Sequence, residues 1–192
     1  LNLTEFFTPD TLTVKQLSSK FSVGREAFIL DCYKWVVENV KYSHSDMRKM
    51  QMSAASVVSE DFWEFPAEVL SDKKYGGKVA DCDGQANLLA SLLRTRISSD
   101  EVFVTLGLLH KNQVGGHAWC NIFGAGGKWY LLEATRSKWP ANPWVLQEQA
   151  VDYEPILAYN DKQIWVRASK SVCFPMGHCH VEWLNDYLCD CA

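Results

Sequence analysis

Between Arg25 and Tyr42 the apolar residues Phe28, Ile29, Tyr33, Val36, Val37 and Val40 recur at steps of three and four. That spacing places them on one face of an amphipathic helix. Ser43 to Asp46 ends the pattern, and Met47 to Val58 reads as a second helix. Upstream, Thr11 to Ser22 is polar and ambiguous, with Pro9 and Gly24 as breaks on either side. A buried helix is predicted over Gln85 to Arg94, where Ala86, Leu88, Leu89, Leu92 and Leu93 are apolar. Asp81 and Asp83 stand near its start, where acidic and capping residues belong. Ahead of it lie an aromatic knot, Phe62-Trp63-Glu64-Phe65-Pro66, and a loop carrying Gly76 and Gly77. Pro66 keeps the knot from being a central strand.

Three strands are expected next: Val102 to Leu109, His117 to Phe123 and Lys128 to Glu133. The last two flank Gly124-Ala125-Gly126-Gly127, a strong hairpin signal. A helix followed by adjacent strands, without repeated crossovers, gives an α+β layout. Pro140-Ala141-Asn142-Pro143 reads as a boundary, so residues 1–139 form a core and 140–192 a C-terminal extension of the same domain. Within the extension, Ile164 to Ala168 is a strand candidate.

Composition narrows the function classes. With 192 residues, 47% hydrophobic and 22% charged, the chain is long and apolar enough for a real core, which excludes intrinsic disorder. A net charge of −4 without a basic cluster argues against nucleic acid as a partner, and no long uncharged apolar run suits a bilayer. Seven cysteines, an odd number spread over the chain, do not resemble a small disulfide scaffold. A reducing, cytoplasmic compartment is therefore expected. No secretory signal is visible at the start, although the chain opens at Leu1 without a methionine.

Chemistry concentrates in three places. Cys82 lies at the mouth of the leucine-rich helix, His117 opens Gly116-His117-Ala118-Trp119, and Glu133 closes the following strand. A thiol is a nucleophile as thiolate, and helix-start N–H groups with a nearby imidazolium favour that form. His117 would take the proton and return it to a leaving amine, while Glu133 would orient the imidazole. The hairpin makes this geometry testable. A three-residue loop with Phe123 opposite Gly127 places His117 directly across from Glu133, whereas a two- or four-residue loop points them to opposite faces. An odd-length or bulged loop is predicted, with glycine at 126 or 127 suited to it.

The order Cys82 at a helix start, then His117-Ala118-Trp119, then Gly127-Lys128-Trp129-Tyr130-Leu131-Leu132-Glu133-Ala134-Thr135 resembles the transglutaminase-like superfamily of papain-related folds. The resemblance covers roughly residues 25 to 139. It implies a papain-like transglutaminase core in which a cysteine at a helix N-terminus packs on an antiparallel sheet. It further implies Cys82 as nucleophile, His117 as base and acid, and Glu133 as the orienting carboxylate, where the family usually carries aspartate. The reaction so implied is acyl chemistry on a protein or peptide amide through a thioester, without a cofactor. Peptidase, deamidase or amide hydrolase is preferred, with a protein-crosslinking transglutaminase as the alternative. A non-catalytic peptide- or protein-binding domain is the reading of a different class.

Trp63 and Trp119 are the candidate substrate contacts, although tryptophans so placed more often fill cores. Cys32 and Cys120 read as packing residues. At the C-terminal end, Cys173, His178, Cys179, His180, Cys189 and Cys191 could ligate zinc or form disulfides. Their spacing fits structural zinc poorly, so no metal is expected there.

Overall fold

The computed structural model describes residues 2–42, 63–71, 78–111 and 113–166. The helix expected over Met47–Val58, Phe62, the loop at Gly76 and Gly77, and all six C-terminal cysteines and histidines lie outside the described residues.

Four helices are described: α1 (Leu12–Ser18), α2 (Arg25–Asn39), α3 (Pro66–Leu70) and α4 (Cys82–Arg94). α1 falls in the stretch that the pattern leaves ambiguous. It buries only Val14 and Ser18, so an apolar period is hardly visible in its sequence. α2 buries Phe28, Ile29, Cys32, Tyr33, Val36 and Val37, the face its spacing predicts. It stops at Asn39, short of Tyr42, because Val40 is extended and Lys41 donates its amide to the Lys78 carbonyl. Lys41–Tyr42 thus becomes strand β1, parallel to β2 (Val79–Ala80).

The remaining described strands form one antiparallel sheet: β3 (Val102–Lys111), β4 (Gln113–Gly124), β5 (Lys128–Leu132), β6 (Val145–Leu146), β7 (Tyr153–Tyr159) and β8 (Ile164–Val166). Their order across the sheet is β6-β5-β4-β3-β7-β8. The chain beyond Pro143 therefore returns to the sheet on both sides, and β7 pairs directly with β3. Sequence reading finds β8 but not β6 or β7.

Val102, Val104, Ala118, Cys120, Ile122 and Leu132 pack with the buried faces of α2 and α4 in the main core. Phe103, Trp129, Ala158 and Trp165 form a smaller cluster, with Phe123 packed against it. The residues of β4 alternate accordingly, with Ala118, Cys120 and Ile122 toward the helices and His117, Trp119 and Asn121 on the opposite face.

The β4–β5 loop has three residues, Ala125 to Gly127, with Gly124 opposite Lys128. Gly126 and Gly127 take φ of 74° and 69°, the left-handed region that glycine enters without strain. The loop length is odd, as expected, but the register sits one residue further along the chain. Glu133 consequently lies one step past the Cys120–Leu132 pair, diagonal to His117 instead of directly across from it.

Candidate active site

α4 starts at Cys82, three residues earlier than the apolar pattern implies. Asp81 is its N-cap, with a side-chain oxygen accepting the Gly84 amide at 3.3 Å. β2 delivers the chain to this cap, and Gly84 fits it closely, since a Cβ there would stand 2.9 Å from that of Ala80. Cys82 is consequently held at the first turn, where helix amides lack intrahelical partners.

The Cys82 sulfur lies against the backbone amide of Ala118, the residue after His117. Helix start and strand thus meet at the peptide that carries the imidazole. Burial pushes the Cys82 thiol up to about 12, and the nearby Asp83 and Asp81 carboxylates add to the rise; the amides of Ala118 and Asp83 act in the other direction. Burial and the two carboxylates thus oppose the thiolate that the helix start is expected to favour. Desolvation outweighs the N–H groups in this balance.

His117 and Glu133 are joined, with 2.7 Å between imidazole Nε2 and carboxylate Oε2; Glu133 is buried and His117 partly so. The same Oε2 accepts the Tyr153 hydroxyl at 2.8 Å. Oε1 accepts the Thr135 amide at 3.0 Å and the Thr135 hydroxyl at 2.7 Å. Behind the carboxylate, the Tyr33 hydroxyl of α2 donates to the Glu133 carbonyl at 3.1 Å. Burial alone would raise the Glu133 carboxyl, but the His117 and Thr135 hydrogen bonds overcome it and hold the group below its ordinary value. Half-buried and facing this anion, the Tyr153 hydroxyl is pushed well up and stays a donor. A carboxylate accepts only, so Nε2 carries a proton and Nδ1 is the ring nitrogen left for exchange.

Other predicted residues fall elsewhere. Trp119 is fully buried, with its ring 5.2 Å from that of Tyr153, so it lies in the interior beneath Tyr153 and away from any solvent-facing contact. Trp63 is half-buried, 5.4 Å from the Phe6 ring and 6.2 Å from that of Tyr159. Cys32 and Cys120 are buried, as packing predicts. Tyr42, missed in the sequence, pairs in register with Ala80 and is exposed. Burial and the charges of Cys82, Asp81, Asp83 and Glu133 push its hydroxyl up to about 12, which sets it at the rim of the same site. Tyr153 and Thr135 were missed too. Thr135 follows Glu133 by two residues, the spacing at which side-chain-to-backbone turns form, and could have been noticed.

Among the described residues, no group of three or more histidine, cysteine, aspartate or glutamate side chains is arranged to hold a metal ion. No helix among them is long and apolar enough to cross a membrane.

No protein-family model and no curated protein matches the chain. Solved structures do resemble it. An EGTA-treated form of LapG from Legionella pneumophila superposes with a TM-score of 0.57 at 14% identity, over 85% of this chain and 83% of that one. A second LapG structure gives the same TM-score and identity, with 85% of each chain covered. The likeness is one of fold. The chain is an α+β protein with a papain-like, transglutaminase-type core.

Proposed function

We propose that the chain is a cysteine-dependent enzyme that acts on peptide amides through a thioester, with hydrolysis as the outcome. The observation that carries this reading is the His117 imidazole held by Glu133, in the residue before the Ala118 amide that acts on the Cys82 thiol. A peptidase-type role is also in keeping with the fold.

In this reading Cys82 Sγ attacks the amide carbonyl carbon as its proton passes to His117 Nδ1. Because burial favours the protonated thiol, attack and proton transfer are coupled. Glu133 keeps the proton on Nε2 and the ring in place, and stabilises the imidazolium as it forms. The tetrahedral oxyanion is met by the unpartnered amide of Cys82 at the helix start. Collapse breaks the C–N bond, and His117 returns the proton to the departing amine or ammonia. Water, deprotonated by the same imidazole, then resolves the thioester to a carboxylic acid and restores the thiol. Trp63, half-buried beside Phe6 and Tyr159, is the aromatic side chain offered to a peptide.

The burial of the thiol favours a second reading, a non-catalytic domain whose cleft binds a peptide. One experiment separates them. Wild-type protein and the Cys82→Ala variant are incubated with a peptide library and a labelled amine, and the products are identified by mass spectrometry. Cut or deamidated peptides from wild type alone support the hydrolase, and amine-coupled ones support transfer. Unchanged peptides with reduced, intact Cys82 support the binding domain.

A further inference from the structure

The alternation of β7 changes sense part-way along the strand. Tyr159, Ala158 and Leu157 stand opposite Val104, Thr105 and Leu106, whereas Pro155, Glu154 and Tyr153 stand opposite Gly107, Leu108 and Leu109. Ile156 is thus the extra residue of a β-bulge. Side chains alternate with a period of two, so one inserted residue carries every later side chain to the other face. Tyr159 faces the main core beside Val104, and an unbroken strand would send Tyr153 to that face as well. The bulge turns Tyr153 to the face of His117 and Trp119, whose rings lie 6.1 Å and 5.2 Å from its own. Gly107, opposite His117, leaves room for this arrangement. A Cβ there would stand 2.0 Å from the Glu154 carbonyl oxygen and 2.7 Å from the Trp119 ring.

We infer that Tyr153 is a positioning residue for the proposed reaction, its hydroxyl sharing Glu133 Oε2 with His117 and so setting where that oxygen lies and how much charge it offers the imidazole. The inference rests on the reading of Cys82, His117 and Glu133 as the reacting unit. Its chemistry follows from lone pairs. Oε1 is occupied by two donors from Thr135, and Tyr153 is the second donor on Oε2. Each donor draws off carboxylate charge, so Tyr153 tempers the stabilisation of the imidazolium while it stops the long glutamate side chain from rotating away. The other groups facing this unit are Tyr33 and Tyr42, the Cys82 thiol and the Arg136 guanidinium.

Tyr153→Phe keeps the ring against Trp119 and removes only the oxygen. Histidine-labelled protein is titrated by NMR, wild type against variant, with a thermal melt to establish that both are folded. The His117 midpoint is expected to move to higher pH by about half a unit, because Oε2 then serves the imidazole alone. Difluorotyrosine placed at position 153, a stronger donor of nearly the same shape, is expected to move it the other way. A midpoint that neither change moves overturns the proposal and leaves Tyr153 a packing residue. The peptide-library comparison with Cys82→Ala fails separately: products that survive Cys82→Ala overturn the reaction reading, whatever the titration gives.

Discussion

His117 and Glu133 meet at 2.7 Å without being partners in the hairpin. Glu133 falls one step past Leu132, opposite the position of Trp119, so its carboxylate reaches along a diagonal to the imidazole. Diagonal neighbours in an antiparallel pair are separated by about 7–8 Å, against about 5 Å for direct partners. The extra methylene of glutamate supplies about half of that difference. What reads in the sequence as a departure from an aspartate pattern is the length the register requires.

Shortening the side chain therefore harms the site even though charge is kept. Glu133→Asp is expected to lower the rate by at least about tenfold, since Nε2 loses its partner unless the backbone shifts. Glu133→Gln is expected to cost about two to four orders of magnitude, because the amide no longer specifies which ring nitrogen holds the proton. Rates on a cleaved peptide, with circular dichroism to establish folding, check both. Full activity in Glu133→Asp would contradict the diagonal geometry.

Glu133 also links stability to pH. Its carboxyl titrates below the ordinary 4.5, so between the two values the unfolded chain binds the proton and the folded protein does not. Its contribution is complete above about 4.5 and is lost as pH falls through the depressed folded value. Asp31 and Asp161 are held low as well, so wild type will lose stability in acid in any case. Urea unfolding at a series of pH values should give a shallower acid loss for Glu133→Gln than for wild type.

Gly107 is the tightest backbone approach beside the site. A Cβ there would collide with the Glu154 carbonyl, which is backbone and cannot swing aside, and with the buried Trp119 ring. Gly107→Ala is expected to cost about 1–3 kcal/mol in urea unfolding. It should lower activity further than the stability loss explains, because β7 and its Tyr153 must shift.

How much of this was legible follows from which signals are local. The leucine-rich helix, the cysteine at its mouth and the odd-length hairpin loop are all written in adjacent residues. The exact register is not, because Gly124-Ala125-Gly126-Gly127 allows a three-residue loop in two positions. Only φ at Gly126 and Gly127 decides between them. Tyr153 was invisible for a stronger reason. It lies beyond Pro143, and the bulge at Ile156 inverts the alternation from which its facing would be read. The state of the thiol depends on burial by the whole fold, which helix-start reasoning does not contain.

If the Cys82 thiol reacts only with the help of the His117 imidazole, its alkylation rate with iodoacetamide, followed by mass spectrometry, depends on that imidazole. Burial pushes the Cys82 thiol up to about 12 and so disfavours the thiolate at pH 7. Wild-type Cys82 is expected to label at least about a hundredfold faster at neutral pH than Cys82 in His117→Ala. Equal rates in the two proteins at neutral pH, no faster than free cysteine, would contradict the account.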